Sequence, residues 1–423
     1  MAVLMAVMSV NACKKSEGAA AVPSMAATSA TVPAQENSFY AAVASMKAPV
    51  PKMVMLGKTM FADPSLSVSG KQSCASCHSP QHAYGPANDL PVQLSGPDLK
   101  QSGTRAAPSL RYTYNIPVFS ASYYDPDDEN GGADQGPTGG HTWDGRVQSL
   151  HEQVLMPLTS PYEMANANTD AIIKRVEAAS YAKELRDTFG ADIFNDPKRS
   201  LIAVQMSFEA FLETPEEFYP YSSKFDAWMR GKAKPTAAEK RGLDLFNDPN
   251  KGNCAQCHIS KIGVGGALPL FSDWGHIALG VPRNSKLPAN KDSSYHDRGL
   301  CGPVRTDLKD KPEFCGLFRT PSLRNVATRK AFFHNGVVHT LRDAVRFYAQ
   351  RDTHPEKWYP RGADGKVQKF NDLPEQYWKN VNMEAPFGRK AGEPDVLTES
   401  EIGDIVAFLG TLTDGYKVKD TIK

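Results

Sequence analysis

Apolar residues along this chain recur mainly at helical spacing. Ile402, Ile405, Val406, Leu409 and Leu412 form one stripe, and Thr398 with Glu401 makes a capping box ahead of it. Leu341, Ala344, Val345 and Tyr348 share a second face behind Thr340, which can cap a helix. Gly- and Pro-rich stretches separate such helices and predict irregular loops between them. No apolar run reaches the roughly 18 residues that a membrane span needs. The terminal apolar stretch 1–10 is short and runs into Val10-Asn11-Ala12-Cys13, which resembles a lipobox. Residues 14–37 are then rich in Ala, Ser, Thr and Pro. Together, 1–37 read as an export segment and flexible linker, with Cys13 as a lipidation site. No Lys or Arg precedes the apolar run, so a frayed terminus with an incidental cysteine stays open as the alternative.

With 423 residues, the chain is long enough for two or three domains with cores of their own. A charged fraction of 22% and a net charge of +1 fit a soluble globular protein and exclude a global basic field for nucleic acid. The seven cysteines change the picture more. Four of them lie in Cys74-Ala-Ser-Cys77-His78 and Cys254-Ala-Gln-Cys257-His258. Each pentapeptide is a c-type haem attachment signature. Two thiols add across the porphyrin vinyl groups, and the adjacent imidazole lies against the iron. A zinc site would need both Cys pairs to converge on one metal and would leave both histidines without a purpose.

The surroundings repeat as well. Gly57, Phe61 and Asp63-Pro64 precede the first unit, as Gly242, Phe246 and Asp248-Pro249 precede the second. Pro108-Ser109-Leu110-Arg111 is matched by Pro321-Ser322-Leu323-Arg324, and Asp144-Gly145, Leu150 and Val154 by Asn335-Gly336, Leu341 and Val345. The expected architecture is therefore mainly α: two tandem cytochrome c-like haem domains related by internal duplication, at 38–232 and 233–423. The seam is expected in the Gly-Lys-Ala-Lys-Pro stretch of Gly231 to Pro235.

Duplication also exposes a difference. Tyr348 lies 12 residues after Gly336, and Pro157 lies 12 residues after Gly145. If the halves superpose, tyrosine can ligate one iron where proline leaves the other open. The second haem would then be held by His258 and Tyr348, the first by His78 alone. An open iron predicts an enzyme rather than a simple carrier. Two alternatives remain: Tyr348 as a core tyrosine with Met383 as ligand, and His82 or His141 closing the first site.

These motifs, with Trp143-Asp144-Gly145-Arg146, Phe318-Arg319-Thr320-Pro321-Ser322-Leu323-Arg324-Asn325 and Phe333-His334-Asn335-Gly336, resemble the bacterial di-haem cytochrome c peroxidase family, including its MauG-like branch. The resemblance covers about residues 40 to 420. It implies that the N-terminal haem reacts with peroxide and the C-terminal haem receives electrons. Trp143 looks like the electron bridge, and Gln153, Pro157 and Glu163 have the spacing of the family's distal pocket. Without the resemblance, Glu163 reads as a surface carboxylate. Tyr348 stands where the family's peroxidases have methionine, as in MauG, which should lower the iron's reduction potential. The family also holds a calcium ion between its domains. Ala106 replaces its asparagine ligand, leaving the carbonyls of Arg329 and Ala331, so calcium is a marginal third cofactor. The acidic run Asp125-Pro126-Asp127-Asp128-Glu129 offers hard oxygens but no recognised spacing, and reads more readily as a solvated loop.

The expected function is reduction of hydrogen peroxide to water at the first haem. Glu163 would be the acid–base group, Gln153 would orient peroxide, and a c-type cytochrome or copper protein would donate electrons through the second haem. The alternatives are MauG-like oxidation of aromatic residues in a partner protein, and a pure electron-transfer cytochrome. Export implies the periplasm, with an anchor through Cys13. In that oxidising setting Cys301 and Cys315 can pair, closing a loop worth about 3 kcal/mol on the chain-entropy model.

Overall fold

The computed structural model describes residues 34–123 and 135–418. Cys13 and the acidic run 125–129 lie outside them. By packing, the chain divides into Met1–Ala41 and Ala42–Lys423, and the second unit contains both Cys-x-x-Cys-His motifs. Helix α1 (Ala34–Met46) starts inside the expected linker, because Ala34, Gln35 and Glu36 are good helix formers.

The fold is mainly α. The first half holds α2 (Val50–Ala62), α3 (Cys74–Cys77), α4 (Leu150–Thr159), α5 (Thr169–Ala178), α6 (Ala182–Phe189), α7 (Pro197–Leu212) and α8 (Pro215–Phe218). After it come α9 (Lys224–Met229), α10 (Ala237–Asn247), α11 (Leu341–Gln350) and α12 (Glu399–Gly410). Two short antiparallel pairs, Leu94–Ser95 with Gln101–Ser102 and His276–Ile277 with Phe318–Arg319, tie down loops.

The hydrophobic interior falls into two large clusters, one drawn from Met53 to Phe218 and one from Phe225 to Leu412. The change of core comes ahead of the expected seam. Phe225, Trp228 and Met229 on α9 already pack in the second cluster, since Phe225 sits edge-on to Phe271 and Phe408.

The repeat has a packing cause. In the first half α2 crosses α7 at Gly57, where an added Cβ would meet the Ser207 carbonyl oxygen at 1.9 Å. In the second half α10 crosses α12 at Gly242, where it would meet that of Asp404 at 2.0 Å. One helical turn on, Phe61 meets Phe211 edge-on at 5.5 Å, and Phe246 meets Phe408 at 5.2 Å. Only glycine permits so close a crossing. The stripe is buried at Ile402, Ile405 and Leu409 on α12 and at Leu412 just after it, and the Thr398–Glu401 capping box is formed.

Candidate functional site

Both Cys-x-x-Cys-His units are built alike. The His78 Nδ1–H donates to the Tyr84 carbonyl at 3.0 Å, and that of His258 to the Phe271 carbonyl at 2.9 Å. Tyr84 and Phe271 share the same left-handed backbone, φ 54° in each. The Ser109 hydroxyl donates to the Ala83 carbonyl at 2.6 Å, and the Ser322 hydroxyl to that of Leu270 at 2.7 Å. Each proximal loop is thereby clamped from the matching Pro-Ser motif. With Nδ1 engaged, Nε2 is the nitrogen left for a metal. Burial lowers the His78 imidazole and takes that of His258 to about 4, so both are neutral near pH 7, as ligands must be.

Burial also pushes the thiols of Cys74, Cys254 and Cys257 up to about 12 and that of Cys77 to about 11. Among the described residues no cluster of three or more His, Cys, Asp or Glu forms.

Beside the second unit is a cavity of about 240 Å³ lined by Phe246, Cys254, Cys257, His258, Arg319, Tyr348 and Trp143, among others. Its chemistry fits a haem. The walls are largely apolar, yet among the described residues the buried Nη1 of Arg319 has no hydrogen-bond partner. Burial alone drags this guanidinium down to about 10, with only the weaker pull of Asp144 against it. A haem propionate is the anion that such an orphaned cation calls for. Tyr348 lines the same cavity; burial, then the charges of Cys254 and Cys257, raise its phenol. Met383 is not among the lining residues; it is half-exposed and its sulfur accepts from Arg351 Nη2 at 3.3 Å. Tyr348 rather than Met383 faces the cradle.

Helices α4 and α11 correspond. Ser149 caps the first by accepting from the Glu152 N–H, Thr340 the second by accepting from the Asp343 N–H. Pro157 and Tyr348 are each the eighth residue of their helix. Leu150, Val154 and Leu158 are buried along α4, and Gln153 and Pro157, four residues apart, line up beside them. The Gln153 Oε1 is buried and has no hydrogen-bond partner among the described residues. Glu163 is not on a helix. It follows α4 in a turn where its carbonyl accepts from Gln72 Nε2 at 2.6 Å and from the Gly96 N–H at 2.9 Å. The side chain is solvent-accessible yet crowded enough by protein that burial raises its carboxyl, against Ser160 and Arg146. Its charge reaches Cys74 and Cys77 and raises both thiols.

The two histidines considered for the first site have other surroundings. His82 Nδ1 bonds to the Ser79 hydroxyl at 3.1 Å. His141 is buried and taken down to about 3 by burial and the charge of Arg319. It lies near His151, whose Nδ1 pairs at 3.1 Å with Glu209 of α7.

Trp143 lines the large cavity. Its indole N–H donates to the Ala106 carbonyl at 2.8 Å, and its own carbonyl accepts from the Arg319 N–H at 2.8 Å. The next residue, Asp144, is fully buried and pairs with Arg105 and Arg146, each at 2.7 Å. Arg105 also grips Asp297 through two bonds, at 2.7 and 2.8 Å. Sequence reasoning assigned nothing to Arg105, Asp297 or Arg319. Arg319 stands in the Phe318–Asn325 motif, which is the available signal; the other two carry none. Cys301 and Cys315 are joined by a disulfide.

The calcium expectation meets a different arrangement. Ala106 offers no side-chain oxygen, and its backbone N–H and carbonyl are engaged by the His334 carbonyl and the Trp143 indole. The Arg329 guanidinium donates to the Ala331 carbonyl at 3.1 Å and to that of Ala107 at 3.3 Å. These residues do not fit a calcium ion.

Comparison with known proteins identifies the family. The family model for di-haem cytochrome c peroxidase matches residues 51–234. The methylamine utilization protein MauG of Paracoccus denitrificans is 31% identical over 382 residues, covering 86% of this chain and 88% of that protein. The cytochrome c551 peroxidase of Nitrosomonas europaea is 30% identical over 297 residues, 69% of this chain and 71% of that one. The crystal structure of the diheme peroxidase BthA from Burkholderia thailandensis aligns with a TM-score of 0.77 at 38% identity, over 86% of each chain. The chain belongs to the family of di-haem cytochrome c peroxidases and MauG proteins. Its cofactors are two c-type haems, and it is an oxidoreductase. Among the described residues no helix is long and apolar enough to cross a membrane, and nothing in these similarities supports a lipid anchor at Cys13.

Proposed function

We propose that this protein reduces hydrogen peroxide at its first haem, with electrons relayed through the second from a small c-type cytochrome or copper protein. One observation carries the reading: Pro157 and Tyr348 hold the same place in equivalent helices, and only the second has a donor atom. Cys74, Cys77 and His78 would hold the first haem, and Cys254, Cys257, His258 and Tyr348 the second. When bound, the haems supply an open iron for peroxide and a second redox centre. Gln153, with an unsatisfied carbonyl oxygen, accepts a hydrogen bond from peroxide or its water and orients it. Glu163 would take a proton from one peroxide oxygen and deliver it to the other, so that the O–O bond breaks as two electrons from the donor protein and two protons from solvent are taken up and both oxygens leave as water. Its raised carboxyl suits both halves of that transfer. Trp143, held from both sides on the cavity wall, would pass electrons between the haems.

A second reading, oxidation of aromatic residues in a partner protein, is favoured by the tyrosine at position 348 and the similarity to MauG. The haem attachments and the Cys301–Cys315 disulfide support a periplasmic location. The test is the electronic spectrum of the resting ferric protein during peroxide addition. One high-spin and one low-spin centre are expected, the high-spin signal responding to peroxide. Two low-spin centres indifferent to peroxide, before and after partial reduction, leave only an electron carrier. Steady-state turnover with reduced cytochrome then separates the peroxidase from the protein oxidase.

A further inference from the structure

Arg329 is an unusual cation. It follows the turn Val326–Thr328 and borders two cavities, the large one beside the second Cys-x-x-Cys-His unit and a small one lined by His82, Ala106, Ala107 and Ala331. Among the described residues no carboxylate lies within ion-pair distance of it, and burial alone acts on its charge. Burial takes it only to about 10, so it stays charged at neutral pH. It is close enough to His78 for its charge to lower that imidazole. One side therefore reaches the proximal ligand of the first haem and the other the wall of the second haem's cavity.

Its partners are backbone oxygens. Nη2 donates to the Ala331 carbonyl, two residues on, and Nη1 to the Ala107 carbonyl, 222 residues back. A cation held by carbonyl dipoles from two distant segments is the arrangement by which a hard metal ion joins loops. Here the charge is covalently tethered. A calcium ion at this place would need six to eight oxygens at about 2.3–2.6 Å. It would have to take the Ala331 carbonyl from the guanidinium and sit beside a like charge. Ala106 has no oxygen to add, and its carbonyl already accepts from Trp143.

We infer that Arg329 is a positioning residue that does the work of a divalent cation at the junction of the two haem-binding halves, and that the protein is consequently independent of such ions. The guanidinium pins the 106–108 segment, whose Pro108 carbonyl also faces His78 and whose Ala106 carbonyl fixes the Trp143 indole. Loss of the charge should therefore be felt at the first haem's proximal side and at the inter-haem tryptophan together.

The experiment uses the holoprotein, and no readout depends on turnover. Elemental analysis of the purified wild type should find iron without stoichiometric calcium, and a chelator should leave its haem spectrum and unfolding temperature unchanged. Arg329→Ala should lower the unfolding temperature and shift the spectrum of the His78 haem, and Arg329→Lys should restore part of both. In the double variant Arg329→Ala with Ala106→Asn, added calcium should raise the unfolding temperature, as it does not in the wild type. One calcium per wild-type chain, or a chelator-sensitive spectrum, overturns the inference whatever the variants do. So does an Arg329→Ala protein that matches the wild type in both spectrum and unfolding.

Discussion

Replacing Gly242 with alanine tests the packing that makes the two halves alike. At this position α10 lies directly on α12. The new methyl would stand 2.0 Å from the Asp404 carbonyl oxygen, 2.6 Å from its carbon and 2.8 Å from the Phe408 Cβ. Ordinary contact begins near 3.4 Å, so the helices must part by about 1.4 Å. Two effects oppose each other. Alanine returns about 1 kcal/mol of helix propensity over glycine, while forcing an extra carbon into a packed core costs about 1–3 kcal/mol. The second should win, because the atoms met are mostly backbone and cannot rotate away; a net loss of about 1 kcal/mol is expected. The damage should be local. Phe246 on α10 and Ile405 and Leu409 on α12 line the large cavity, so parting these helices loosens the wall around His258 and Tyr348. Guanidinium denaturation of the holoprotein, followed by haem absorbance, should show a lower midpoint and disturbed low-spin bands. The matched change Gly57→Ala, 1.9 Å from the Ser207 oxygen, should instead disturb the high-spin bands of the first haem. A variant that gains stability by the propensity term alone would refute the reasoning, since the crossing would then have slack.

Glu163→Gln should slow peroxide turnover by about 100-fold or more if the carboxylate carries the proton. The wild-type rate should fall on acidification through a value above the ordinary carboxylate range, because burial raises this group, and the variant should lose that limb. Tyr348→Phe should remove the oxygen donor from the second haem and raise its reduction potential; an unchanged potential in a redox titration would leave the phenol as a packing group against Phe387. Asp144 sits where burial pushes its carboxyl up but Arg105 and Arg146 hold it down, from 3.8 to about 2. Its contribution, about 2 kcal/mol, is complete above the unfolded value and is lost as pH falls toward about 2. Acid unfolding of Asp144→Asn should therefore lack the part of the wild-type slope that lies between these values.

The elements that could be read along the chain are those with local causes. The Thr398–Glu401 box and the Thr340 cap are contacts within three residues and form as the spacing requires. The equivalence of Pro157 with Tyr348 also followed from counting, because a shared cap starts both helices and 3.6 residues per turn carries the register forward. The two haem attachments are legible for the same reason, since thiols three apart and an adjacent imidazole are short-range covalent geometry. The six residues of α9 say little about which core they join, and that was decided by the rings of Phe271 and Phe408, far away in sequence.

What tertiary structure alone decided is how the charges around the haem-binding halves are met. Arg105 finds Asp297 from 192 residues away, Arg329 finds the Ala107 carbonyl from 222, and Arg319 is left with an orphaned nitrogen on the cavity wall. No periodicity encodes such pairings. They depend on where irregular loops pass one another, and a buried charge takes whatever dipole or anion the fold brings within reach, since in a low dielectric it cannot be left to water.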